Sequence, residues 1–231
     1  MVMDKMAKCS YILRAASPDE SGRIHKALEK WADSYVLGRP ESELKAAAET
    51  GLFFVVTDLG DSEILGTSAV FSLRDGEYVE VGTTYVDDRL RGFRLQELFF
   101  RIRIGSIVWS QGTDIKITTA IDPANERSLR STRTCGFRTM TQLIDEQLAP
   151  CIECRKRPGP ESGRRCCCDF YHLPSDAARS AVRALLDQVV GGAATLRNGS
   201  GEELELRVAA KLVTDPDART ALAEFVAGRT W

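Results

Sequence analysis

The residues from 78 to 100 constrain the chain most, because a two-residue hydrophobic rhythm gives way there to a helical one across a single short, basic turn. Val79, Val81 and Tyr85 alternate with Glu80, Gly82 and Thr84, which is a strand pattern, whereas Leu95, Leu98, Phe99 and Ile102 recur at helical spacing. A strand therefore runs directly into a helix.

The turn between them reads Asp87-Asp88-Arg89-Leu90-Arg91-Gly92-Phe93-Arg94. It places backbone N–H groups and arginines at the positive end of the helix, a setting that stabilises phosphate and suits a pyrophosphate. The alternative leaves Gly92 as a tight-turn residue and the arginines as solvated charges. A second strand-turn-helix stretch occupies residues 115–137, with Asp122-Pro123-Ala124-Asn125 before its helix and Gly136-Phe137 after it.

Together these stretches resemble the GNAT superfamily of acyl-CoA-dependent N-acyltransferases. In that family a strand ends in valine and is followed by Gln/Arg-x-x-Gly-x-Gly/Ala; here Val86 ends the strand, Arg89 and Gly92 fit, and Arg94 stands where a small residue is expected. The second family signature falls on Asn125, Ser128, Thr132, Gly136 and Phe137, with Thr132 in place of tyrosine. The resemblance covers residues 11–173. It implies a co-substrate, acetyl-CoA or another acyl-CoA, held by Tyr85, Val86, Arg89, Arg91, Gly92, Phe93, Arg94, Leu95, Asn125 and Ser128. It also implies strands four and five that splay apart around the pantetheine arm.

Acyl transfer to an amine needs the amine neutral, the oxyanion stabilised and the thiolate protonated. Glu80, in the middle of the central strand and on the face of Thr84, is the first candidate base; otherwise it is a solvated residue paired with Lys or Arg. Backbone N–H groups at Tyr85 and Val86 would polarise the thioester. Thr132 takes the tyrosine's position, but its hydroxyl is a far weaker acid. Arg94 would block the loop unless it swings outward or grips a phosphate oxygen. Cys135 reads as packing, since no histidine is near it in sequence.

The remaining chain organises around this unit. At 231 residues it can bury a core as one domain with an appendage. Ser17-Pro18 starts a helix whose face carries Ile24, Leu28, Trp31 and Tyr35, and a second helix follows from 41 to 50. Strands at 11–15, 52–57, 63–73 and 78–86 give an antiparallel meander, and the helix at 93–110 must cross over before a parallel strand at 114–121. The fold class is thus α/β (α+β), a GNAT-like mixed, mostly antiparallel sheet flanked by helices. Residues 1–174 form the acyltransferase domain, whose last hairpin (138–144 with 169–173) carries a cysteine-rich insertion at about 150–168. Residues 175–231 form an α/β C-terminal extension: a helix, two strands around Asn198-Gly199-Ser200-Gly201, and a last helix capped at Thr214 or Asp215.

The net charge of −2 gives no general field for nucleic acid. No cleavable leader or membrane-length apolar run is present, so a cytoplasmic, soluble protein without a membrane partner is expected. Five of the seven cysteines lie between Cys151 and Cys168. Cys151, Cys154, Cys166 and Cys168 have the spacing of a closed four-thiolate zinc site, with Cys167 and His172 as alternate ligands. Two functions remain: transfer of a short acyl group to a primary amine of a small molecule or protein, or a GNAT-like shell that binds a partner through the zinc hairpin and the extension. A homodimer through the extension is the further partner expectation.

Overall fold

The computed structural model describes residues 10–31, 39–73, 78–112, 114–140 and 168–228. Among the described residues ten strands form one sheet. Its centre is the expected meander: β1 (Tyr11–Ala15), β2 (Phe53–Asp58), β3 (Ile64–Leu73) and β4 (Tyr78–Val86), each antiparallel to the next. β5 (Lys116–Ile121) lies parallel to β4, and β7 (Asp169–His172) pairs with both β5 and β6 (Arg138–Thr139). The expected continuation of β6 to residue 144 lies outside the described residues.

Two apolar layers enclose the sheet. On one face α1 (Ser21–Trp31) and α2 (Glu41–Glu49) contribute Ile24, Leu28, Leu44 and Ala47, packed with Phe53, Val55, Ala69 and Phe71. A 3₁₀ turn at Pro18–Glu20 leads into α1, and Glu20 reaches back to the Ser17 N–H at 2.8 Å, so the Ser-Pro start acts as read. On the other face lies α3 (Leu95–Gln111), buried nearly all round. A helix apolar on every side needs cover on every side. The sheet supplies one half. The extension supplies much of the rest through α5 (Ser175–Gln188), α6 (Lys211–Thr214) and α7 (Pro216–Val226), while α4 (Glu126–Thr134) flanks it nearer β5.

The strands of the extension complete the sheet. β10 (Glu203–Val208) pairs with β1 in parallel, Tyr11 opposite Leu206, and β9 (Ala193–Arg197) and the short β8 (Val189–Val190) follow. Asn198 closes the β9–β10 turn, its Oδ1 accepting from the N–H groups of Ser200 and Glu202. Gly105 shows how closely the extension sits: a Cβ there would come within 2.9 Å of Leu212 and 3.0 Å of Leu185. Among the described residues no helix is long and apolar enough to cross a membrane.

Candidate active site

The central strand does not keep its rhythm to the end. Gly82 faces Ala69 and Tyr85 faces Thr67, so two residues of β4, Thr83 and Thr84, oppose the single residue Ser68. Thr83 takes φ 49°, a left-handed conformation that costs a β-branched residue on the order of 1–3 kcal/mol. An extra residue reverses the alternation of side chains beyond it. Val79 and Val81 pack toward α3, but Tyr85 turns to the other face, where its ring stacks on Trp31 at 3.9 Å and 9°. Val86 returns to the α3 side. Two expectations are corrected by this bulge: Tyr85 does not share a face with Val79 and Val81, and Glu80 does not share one with Thr84, whose hydroxyl meets that of Ser68 at 3.1 Å.

Near the same place β4 loses its other neighbour. Its parallel ladder with β5 runs only from Tyr78–Lys116 to Glu80–Thr118, and Thr119 Oγ1 makes a last bond to Val81 O at 2.9 Å. The strands then part around a cleft of about 920 Å³, lined by residues 80–86 and 119–122, the turn before α3 and one side of α4. Asp87 donates its N–H to Leu65 O on β3 at 2.8 Å, so the preceding residue, Val86, directs its N–H and C=O the other way, toward the cleft. Tyr85 also borders the cleft, but its main chain faces β3.

The basic turn forms a 3₁₀ segment (Asp88–Leu90) capped by Asp87, then Gly92 at φ 87° and Arg94 at φ 60° before α3. Among the described residues the N–H groups from Gly92 to Gln96 make no well-aligned hydrogen bond, and the main chain closes only a loose turn over Arg91–Arg94. Free N–H groups at a helix start suit an anion. The Arg94 side chain is 65% exposed and bonds Glu97 at 2.9 Å, and both residues border the cleft. Arg91 borders the cleft while pairing with Asp88. Arg89 does not line the cleft: it bonds Asp87 and Glu63, and these bonds hold both carboxyls below their ordinary pKa. Phe93 packs against the core, and Leu95 is buried at the cleft floor.

Glu80 borders the cleft in an ion pair with an arginine, as its alternative reading had it, though the partner comes from a distant segment. Arg39, just before α2, bonds Glu80 at 3.0 Å and Glu43 at 3.2 Å and lies over the Phe71 ring at 4.2 Å. Burial works against the Arg39 charge, but the two carboxylates outweigh it and raise its pKa.

On α4, Asn125 caps the helix by accepting from Ser128 N–H at 3.1 Å, and both residues line the cleft. Gln96 spans from α3 to α4, accepting from Ser131 Oγ at 3.2 Å and donating to Ser128 Oγ at 3.5 Å. Thr132 is not brought to the site: it is 0% exposed, its hydroxyl has no partner among the described residues, and it is not part of the cleft lining. The helix turns Ser131 outward instead, together with Arg127 and Arg130. Burial pushes the Cys135 thiol up to about 11, which fits packing and not a nucleophile. Of the four expected zinc ligands, Cys168 borders the cleft, whereas Cys151, Cys154 and Cys166 lie outside the described residues. No cluster of three or more metal-ligating side chains occurs among the described residues.

No family model and no curated protein matches the sequence. Solved structures are similar in fold. A chimera of spermidine N-acetyltransferase SpeG from Vibrio cholerae and hSSAT matches at 14% identity and TM-score 0.49, over 73% of this chain and 98% of its own. YncA from Salmonella typhimurium, a putative acetyltransferase solved with acetyl-CoA, matches at 15% and 0.49, over 71% and 92%. RimJ from Mycobacterium smegmatis, solved with CoA-disulfide, matches at 16% and 0.48, over 74% and 88%. The architecture itself is the mixed, mostly antiparallel sheet flanked by helices that the GNAT resemblance implies.

Proposed function

We propose that this chain is an acyl-CoA-dependent N-acyltransferase of the GNAT superfamily, moving an acetyl or other short acyl group to a primary amine. The observation that carries this reading is the parting of β4 from β5 directly before a helix whose first N–H groups have no well-aligned acceptor among the described residues. The open strand edge suits an extended amide-bearing chain, and the helix start suits the phosphates of the same molecule. Gly92 and its neighbours to Gln96 hold the pyrophosphate through the main chain. The Val86 N–H polarises the thioester carbonyl as the amine adds to its carbon. Glu80 takes the amine's proton, directly or through water, with Arg39 holding the carboxylate in place. Thr132 is too deep to reach the sulfur. Ser131, one residue earlier, lines the cleft but gives its own proton to Gln96 Oε1 at 3.2 Å, so water supplies the proton that the leaving thiolate takes.

The Arg39–Glu80 ion pair also favours a second reading, a binding module that keeps the cleft but has its base engaged. Titration with acetyl-CoA separates the two from any wider error. A rise in melting temperature with ligand, by mass action, together with thiol release when amines are supplied, supports the transferase. A rise without release in any amine supports the module, and no rise removes both.

We further propose that Cys151, Cys154, Cys166 and Cys168 hold one zinc ion, on the spacing of their thiolates. Elemental analysis of untagged protein should then find about one zinc per chain. Metal-free protein with free thiols would sink this part.

A further inference from the structure

Arg103 lies on α3 and is 0% exposed, among the largest wholly enclosed side chains of the molecule. Its bonds go to main-chain carbonyls: Nε donates to Phe99 O at 3.3 Å, and Nη1 donates to Ala69 O at 3.2 Å and Gly82 O at 3.1 Å. The guanidinium stands 4.5 Å over the Phe100 ring, and no carboxylate bonds it among the described residues. Desolvation pulls its pKa below the ordinary arginine value, and the attraction of the Glu80 carboxylate, which does not bond it, offsets only part of that. A buried charge without a paired counter-charge is costly, and an apolar chain of similar length would fill the space at lower cost. Packing alone therefore gives no account of an arginine here.

What an apolar side chain could not supply is a donor for those two carbonyls. Ala69 and Gly82 face each other at the last regular step before the β3–β4 ladder slips. A bulge interrupts the ladder and leaves main-chain groups needing other partners. Arg103 bonds both strands at once, one residue before the strained Thr83.

We infer that Arg103 is a positioning residue for the transfer reaction: by tying Ala69 O to Gly82 O it fixes the extra residue in β4, and the bulge in turn decides which way Tyr85 and Val86 face. This rests on the acyltransferase reading. If the bulge relaxed, the alternation set at Glu80 would run on unbroken. Tyr85 would leave Trp31, and the Val86 N–H would turn from the cleft to β3.

The test is Arg103→Met, read in three ways. Melting should stay cooperative. The near-ultraviolet circular dichroism of the Trp31–Tyr85 stack, defined as the difference between wild type and Tyr85→Leu, should disappear. Thiol release from acetyl-CoA should fall at least tenfold in kcat while KM for acetyl-CoA stays within threefold. Arg103→Lys, which keeps one charged donor, should restore part of both losses. A folded Arg103→Met protein with the wild-type stack signal and wild-type kcat overturns the inference. If the Met variant does not fold, Arg103→Gln is read against the same two signals, with loss supporting and wild-type values overturning. Failure of both to fold would assign Arg103 to the fold as a whole and overturn it too. Wild-type protein that neither binds nor cleaves acetyl-CoA removes the acyltransferase reading instead, and the stack signal still reports whether Arg103 holds the bulge.

Discussion

β1 and β4 are the outer strands of one four-stranded meander, and they treat their free edges in opposite ways. The edge of β1 is taken by β10 in a regular parallel ladder, with Leu13, Leu206 and Val208 buried beside it. The edge of β4 is taken by β5 only as far as Glu80, then left to a cleft beside a bulge and a left-handed threonine. An edge is normally a liability that a fold closes. A closed edge needs only unbroken alternation and apolar cover; an open one needs a device that interrupts pairing, and β4 has its device in Thr83, Thr84 and the arginine beneath them.

The sharpest way to break the comparison is to damage each flank separately. Gly92→Glu places a carboxylate at φ 87° among the free N–H groups. It should abolish the acetyl-CoA melting shift while the melting temperature without ligand falls by only a few degrees, on the order of 1 kcal/mol for the strained backbone. An unchanged shift would move the cofactor elsewhere.

Glu80→Gln acts on the same flank but on chemistry. Turnover should drop by roughly 10²–10⁴, the usual worth of a general base, with acetyl-CoA affinity little changed and the acidic limb of the pH–rate profile flattened. Full-rate turnover in this variant would assign the proton to water or to the acceptor.

Leu222→Ala tests the closed flank. The side chain is 0% exposed against the α3 layer, so its loss should cost about 2–5 kcal/mol measured by denaturant unfolding. The acetyl-CoA shift should survive, because this side chain touches no part of the cleft lining. If both quantities fall together, the two flanks are not energetically separable.

Acid should distinguish the flanks more weakly. Glu20 is held below its ordinary pKa chiefly by its hydrogen bonds with Arg14 on β1, and Glu63 and Asp87 chiefly by theirs with Arg89 after β4. A carboxyl depressed in the folded state stabilises above its unfolded pKa and loses that contribution as pH falls through the folded value. Stability should therefore fall as pH drops below about 4.5, the ordinary glutamate value. Arg14→Met should flatten that fall more than Arg89→Met, because Arg14 is 21% exposed and Arg89 52%, and solvent screens the latter pair. Equal slopes in all three proteins would remove these pairs as its source.

Much of this was legible in the chain. Local periodicity identified β4, α3 and the turn between them, because a strand and a helix bury residues at different spacings and Gly92 punctuates the change. The crossover by α3 forced β5 to lie parallel, and the Asn198 turn marked the β9–β10 hairpin. What periodicity could not reveal was the bulge, since Thr83 and Thr84 look like any two strand residues and the slip exists only against Ser68. Arg39 and Glu80 are 41 positions apart, and no spacing rule links a loop arginine to a strand carboxylate. Thr132 occupied the right motif position, yet helix phase turned it inward and brought Ser131 out.

The sequence by itself determined most element types and their order, though not β8 or α6, and the glycine turn before α3, because these depend on residues within a few positions of one another. Only the tertiary structure decided that the C-terminal extension covers α3 and extends the sheet through β1, that Arg94 pairs with Glu97 beside the cleft, and that Arg103 braces β4 from below. Each of these is set by contacts between distant segments, whose energies come from burial and from satisfying main-chain groups that no single stretch of chain can satisfy alone.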